Sequence, residues 1–328
     1  MSLSSMDQRL IILDDEQFIQ KYCSPGVIAQ LKKASKLTRE WVAQRSKVKY
    51  DIVEKISPFL SEAEYMQLRI LQEKTGAIIS GSFALAFLDN ADFTLGDLDI
   101  FVKKESESPF ILWLHSMGFK VNTNKASLED YDGLRCQPHV TKYQLGLDVR
   151  SYHRRDAKIQ LVLTPSSPVE VILQFHSTIV MNFITCNHAY SLFPRATFDE
   201  RRALINRYPS GVDQQCIDKY IDRGWSMEDT ANQADFAFRN ALFAEGPRYI
   251  GDKKTWKLPL PNPIHDRHAD LIEGNSWQIL FLWDKILDGW RMKMFYDILS
   301  FPEFKNAYTL SCPSVKYIMG NIMKQPVQ

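Results

Sequence analysis

Residues 79–104 read ISGSFALAFLDNADFTLGDLDIFVKK, and the fold turns on how this stretch is divided. Ala77-Ile78-Ile79-Ser80 has the apolar character of a buried strand, and Phe83-Ala84-Leu85-Ala86-Phe87-Leu88 that of the helix it feeds. Gly81 and Ser82 form the joint between them. A second strand follows, in which Leu98, Ile100 and Val102 alternate with Asp97, Asp99 and Phe101. The two-residue period of a strand sends the first three side chains to one face and the last three to the other. Two carboxylates thus converge on one spot, where their repulsion disfavours the strand unless a cation compensates. A helix N-terminus presents unpaired N–H groups and the positive end of its dipole, so the joint suits a phosphate. The Ser82 hydroxyl adds a donor, and Gly81 permits close backbone approach. The competing reading is a surface strand edge beside a helix cap. The large apolar residues between the aspartates, with Gly96 just before them, favour a buried strand whose tip carries charge.

A Gly-Ser turn, a short helix and an Asp-x-Asp in an apolar strand, in that order, resemble the nucleotidyltransferase superfamily with the polymerase-beta-like fold. Gly81, Ser82, Asp97 and Asp99 occupy the signature positions, and the Ser82–Asp97 interval is slightly longer than the commonest spacing. The resemblance extends more weakly to about residue 200. It implies that Asp97 and Asp99 are catalytic metal ligands for Mg2+ (or Mn2+) and that Gly81 and Ser82 seat the triphosphate of an NTP. The implied reaction moves a nucleoside monophosphate to an acceptor hydroxyl and releases pyrophosphate. The acceptor could be RNA, protein or a small molecule, and ATP is one candidate donor.

The resemblance also calls for a third carboxylate on a neighbouring strand. The matching strand, Lys158-Ile159-Gln160-Leu161-Val162-Leu163, holds Gln160 where that acid is expected. A glutamine is a poor general base and a weak ligand for a hard cation. Asp148, in a plausible strand, and Asp156, in a polar turn, are substitutes, with Asp148 the better of the two. Arg150, His153, Arg154, Arg155 and Lys158 bracket the preceding turn; of these, Arg150, Arg154 and Lys158 are candidates to hold phosphate oxygens. The alternative is a solvated hairpin tip. The missing acid leaves room for a second function: a catalytically weakened or inactive module that binds nucleotide, RNA or a protein partner.

The 328 residues suffice for about two domains, and 45% apolar with 12% aromatic residues gives a substantial core. A net charge of +1 supplies no global field toward nucleic acid or an anionic membrane, and no DNA-binding motif is present. Cys23, Cys136, Cys186, Cys216 and Cys312 are odd in number and lack CxxC spacing, which argues against a disulfide framework or a zinc site and for a reducing compartment. No targeting segment stands at the start, and no apolar run is long enough to span a bilayer. The expected location is the cytoplasm, or the nucleus.

The expected fold class is α+β. A helical N-terminal extension covers 1–60, a nucleotidyltransferase-like mixed sheet with flanking helices 61–200, and a helical domain 201–328. The extension clusters Lys32, Lys33, Lys36, Arg39, Arg45, Lys47 and Lys49 around Trp41, as a solvated face or as a nucleic-acid track. In the middle part, Ser61-Glu62-Ala63-Glu64 is a capping box whose helix ends at Gly76, and Ser167-Pro168 starts another helix. His176 and His188 read as packing residues more than as general bases. Beyond residue 194, Thr197–Glu200 and Ser226–Asp229 read as helix starts, and the helix after Asp213 ends at Gly224. The spacing of Trp277, Leu280, Trp283, Ile286, Trp290 and Met294 predicts a buried amphipathic helix over 276–299.

Overall fold

The computed structural model describes residues 25–36, 39–40, 50–121, 147–206, 211–238, 241–264, 270–300, 304 and 306–322. Trp41, Arg45, Lys47 and Lys49 of the basic track lie outside the described residues, as do residues 1–24 of the expected helical extension. Helix α1 (Pro25–Ala34) and the short α2 (Ile52–Ile56) lead into α3 (Glu62–Thr75). The capping box forms as read: Ser61 Oγ accepts from Glu64 N, the Glu64 carboxylate accepts from Ser61 N, and Gly76 closes the helix at φ +71°. Strand β1 (Ile78–Ser80), helix α4 (Gly81–Asp89) and strand β2 (Leu98–Lys103) follow as the sequence divides them. Then come α5 (Glu107–Ser116), β3 (Lys120–Val121), β4 (Asp148–Arg154), β5 (Ala157–Thr164) and α6 (Pro168–Leu173), the last capped by Ser167 with Pro168 at its first position. Strands β6 (Asn182–Ile184) and β7 (His188–Ser191) complete this part.

These strands, joined at one edge by β11 (Trp256–Pro259), build a mixed sheet of order β11-β7-β6-β1-β2-β5-β4-β3, in which β2 and β5 run parallel and the other neighbours antiparallel. Its middle is buried on both faces: Ile78, Ile79, Ile100, Phe101, Ile159, Leu161 and Val162 are fully covered. Strands that bury both faces read as continuous apolar runs, which is why β1, β2 and β5 stand out in the sequence.

Residues 201–328 correct the expectation of a helical domain. Among the described residues they contain α7 (Gly211–Asp222) and α8 (Pro313–Ile322), but also eight strands. Strand β8 (Arg202–Leu204) pairs in parallel with β9 (Ser226–Glu228), so Ser226 opens a strand and not a helix. Thr197 and Asp199 belong to a π-helical turn, Arg195–Asp199, that feeds β8. Strands β10 (Gly246–Tyr249), β12 (Ser276–Asp284) and β13 (Gly289–Phe295) make a separate three-stranded sheet. Strand β11 (Trp256–Pro259) instead joins the edge of the main sheet, against β7. Strands β14 (Asp297–Leu299) and β15 (Tyr308–Leu310) pair with each other. One apolar cluster runs through all of this, from Tyr50 to Met292.

The hairpin at 276–295 shows why the helical reading failed. Trp277, Ile279 and Phe281 are buried and their neighbours less so, which is a strand period of two. The three- and four-residue spacing of the other large residues coincides with it, but Ile286 lies exposed in the turn. Asp284 Oδ1 accepts from Ile286 N at 2.9 Å and Leu287 N at 3.2 Å, and Asp288-Gly289 completes the reversal with Asp288 at φ +48°.

Candidate active site

The register of the main sheet places the acidic strand. Ser80 of β1 pairs with Asp99 of β2, Asp99 with Gln160 of β5, and Gln160 with Ser151 of β4. Directly paired residues share a face, so these four side chains form one polar row across four strands. All four are buried, Asp99 at 3% exposure and Gln160 at none. One step along the strands, Ile78, Phe101, Val162 and Val149 continue the same face as an apolar row.

Gly81 opens α4 at φ +71°, a conformation that suits glycine. A Cβ built there would stand 2.3 Å from Asp99 Oδ2, so the carboxylate occupies the space that a side chain would fill. Ser82, the next residue, meets α7: Lys219 Nζ donates to Ser82 Oγ at 3.3 Å, and Tyr220 Oη lies 3.5 Å from it. Tyr220 is stacked on His176 at 5.8 Å, which accounts for that histidine as a packing partner. Arg223, just beyond α7, lies over the Phe93 ring at 4.0 Å, in the loop that leads to Asp97. A cleft of about 620 Å³ lined by Lys55, Phe59, Phe87, Asn90, Asp92 and Phe93 opens beside the same loop.

Asp97, two residues before Asp99, faces Lys158, two before Gln160, and Lys158 Nζ lies 3.3 Å from Asp97 Oδ2. Of the three cations read as phosphate ligands, Lys158 alone shares this face. Arg150 and Arg154 pair with Leu161 and Ala157, which alternate with Gln160 and so face the other way. Arg150 is bound to Asp148 at 3.2 Å and to Glu107 at 3.3 Å, and its guanidinium is held above the ordinary arginine range: burial pulls it down, and the two carboxylates outweigh that. Arg154 pairs with Glu64, donates to Met117 O at 3.0 Å and Phe59 O at 3.3 Å, and covers Phe119 at 4.4 Å. Both arginines tie helices to the back of the sheet. Asp148 also points there, because it pairs with Leu163, three residues from Gln160. The sheet therefore gathers Gly81, Ser82, Asp97, Asp99 and Lys158, and leaves Asp148, Arg150 and Arg154 on the opposite face.

Sequence reasoning missed Lys219 and Tyr220. The helix that carries them is legible, but its approach to Ser82 spans 137 residues and has no local signal.

Two carboxylates at the end of a buried strand, with the Gln160 amide beside them, offer oxygen ligands of the kind hard divalent cations take. The place that Gly81 leaves for Asp99 fixes one of the two. Among the described residues no third histidine, cysteine or acid joins Asp97 and Asp99. A different group, His188, Asp270 and Glu273, brings its ligand atoms within 4.8 Å of one another. Its oxygens are already engaged. His188 Nδ1 lies 2.9 Å from Asp270 Oδ2, the Tyr190 hydroxyl lies 2.9 Å from Asp270 Oδ2 and 2.6 Å from Glu273 Oε1, and Lys257 Nζ pairs with Glu273 at 2.7 Å. Burial pushes the Asp270 carboxyl up, but the bonds from His188, Thr185 and Tyr190 hold it below the usual carboxylate range.

No family model matches this chain, and no curated protein or solved structure shows significant similarity to it. No helix among the described residues is long and apolar enough to cross a membrane.

Proposed function

We propose that this chain is a metal-dependent nucleotidyltransferase that moves a nucleoside monophosphate from an NTP to an acceptor hydroxyl. One observation carries the reading: the buried Asp99 is lodged against the side-chain-free Gly81 at the start of α4, which joins the acidic strand and the phosphate-seating turn in one place. The first N–H groups of α4, with Ser82 Oγ and the Lys219 ammonium, are disposed to receive triphosphate oxygens. Asp97 and Asp99 would hold Mg2+, which when bound neutralises charge on the phosphates and orients them for in-line attack. The acceptor oxygen forms a bond to the α-phosphorus, the bond to pyrophosphate breaks, and the acceptor's proton passes to water. Positioning and charge neutralisation account for most of such a reaction.

A second reading, a module that binds the nucleotide without transfer, is favoured by Gln160 opposite Asp99, since an amide takes no proton from an acceptor. One experiment tests both. Calorimetry with Mg2+ and ATP or GTP measures binding, and α-labelled NTP incubated with RNA, protein and metabolite pools measures transfer. Binding with labelled product, both abolished in Asp97→Asn/Asp99→Asn, supports the enzyme. Binding without product supports the module, and binding unchanged in the double variant overturns both.

A further inference from the structure

Resting on that reading, we infer that Lys158 stands in for a second metal ion, so that the site works with one divalent cation. In a site of two divalent cations the ions lie about 3.5–4 Å apart and share carboxylates from neighbouring strands. Here the parallel pairing of β2 and β5 sets Gln160 beside Asp99 and Lys158 beside Asp97. A neutral amide thus replaces the acid, and an ammonium lies 3.3 Å from Asp97 Oδ2.

Charge decides between the two arrangements. Asp97 and Asp99 contribute two negative charges, and Lys158 and Lys219 contribute two positive ones, so these four groups leave no surplus of negative charge for a second ion. One divalent cation is tolerated because the triphosphate enters with it and is strongly anionic. A second would meet the Lys158 ammonium at close range inside a largely buried site, where repulsion is weakly screened. Asp97 is 14% exposed and Lys158 25%, so the ammonium is held and not freely solvated. The buried Ser151 hydroxyl, which has no hydrogen-bond partner among the described residues, lies in the same polar row beyond Gln160. A neutral hydroxyl there adds no charge for a second ion.

The replacement also explains a feature of the strand that solubility does not. A lysine at a strand end is ordinarily solvated, whereas this one reaches inward to an aspartate on the face of the polar row. The pair must loosen, or the ion must share Asp97 with it, for a cation to be bound. Removing the ammonium is therefore expected to strengthen metal binding, which is the opposite of what a phosphate-binding lysine alone would give.

The test counts ions on the full-length chain. Mn2+ is titrated by electron paramagnetic resonance in the presence of a saturating α,β-methylene triphosphate, which cannot be transferred. Wild type is expected to hold one Mn2+ per chain and Lys158→Met/Gln160→Asp two. Because Gln160 is fully buried and its replacement could unfold the chain, Lys158→Met alone is titrated without nucleotide, where Mn2+ is expected to bind at least about tenfold more tightly than to wild type. Two ions in wild type overturn the inference and leave the nucleotide reading intact. Unchanged or weaker Mn2+ binding by Lys158→Met also overturns it. Failure of wild type to retain any Mn2+ with the triphosphate overturns both.

Discussion

Asp99 Oδ2 fills the space beside the Cα of Gly81, so that a methyl group added to the glycine would lie 2.3 Å from the carboxylate oxygen. The backbone there is at φ +71°, which costs an L-residue about 1–2 kcal/mol before any clash is counted. Neither residue can yield easily, because Asp99 is fixed by β2 and Gly81 by the turn between β1 and α4. Gly81→Ala is expected to destabilise the chain by about 2–4 kcal/mol, adding backbone strain to overpacking, and to abolish nucleotide binding. Urea unfolding and calorimetry check the two effects. A loss under about 0.5 kcal/mol, the usual range for a surface site, would contradict the geometry.

Lys219 reaches Ser82 Oγ from a helix far along the chain and is itself half-buried. If it holds phosphate oxygens, Lys219→Ala should weaken binding of Mg2+ and ATP by about tenfold, the worth of one charge-assisted hydrogen bond, and leave the melting temperature of the nucleotide-free chain within a degree or so. Equal affinity of variant and wild type, measured by calorimetry, would remove Lys219 from the site.

The part of the site that sequence discloses is the part built from local geometry. Gly81 and Ser82 are read from a strand-to-helix joint, Asp97 and Asp99 from alternation, and Gln160 from its place in an apolar strand. What pairing adds is face and partner: the sheet register sends Asp148, Arg150 and Arg154 behind the sheet and turns Lys158 inward, and no short window encodes that. Lys219 is hidden for the same reason. The β12–β13 hairpin was misread because six large residues fit a helical stripe by coincidence, while the residues that settle the matter, Trp277, Ile279 and Phe281, alternate. Ser226 and Glu228 resemble a helix start until Arg202 claims the glutamate for a strand pair.

Arg154 and Glu64 join β4 to the first turn of α3, and the pair makes stability depend on acidity. The hydrogen bond from Arg154, outweighing burial and helped by Ser61, lowers the Glu64 carboxyl from its ordinary value of 4.5 to about 2. The folded state thus prefers the charged form, and a depressed acid contributes stability that is present above its unfolded value and lost as pH falls toward its folded one. Arg154→Met is expected to cost about 1–3 kcal/mol near neutrality. The gap between wild type and variant should narrow between about pH 4.5 and pH 2, because Glu64 is protonated in both at the acid end. Urea midpoints at several pH values check this; a gap that widens on acidification would mean that the pair is not the source.

Arg202 holds two acids at once. Its Nε and Nη2 meet Glu228 at 2.8 and 2.7 Å, and its Nη1 and Nη2 meet Asp235 at 2.8 and 3.0 Å. The Arg202 bonds lower the Asp235 carboxyl below its ordinary range, against the effect of burial. The planar fork of a guanidinium satisfies both carboxylates, whereas an ammonium has no such geometry, so Arg202→Lys should recover only part of the interaction. Arg202→Met leaves two acids facing each other and is expected to cost toward the low end of the about 3–5 kcal/mol of a broken buried pair, since 24% of the arginine side chain reaches solvent. If the cost is the stranded charge, Arg202→Met/Glu228→Gln/Asp235→Asn should regain most of the lost stability. If it is lost packing of the arginine stem, the triple variant should stay as unstable as Arg202→Met, and urea unfolding of the three variants side by side distinguishes the two causes.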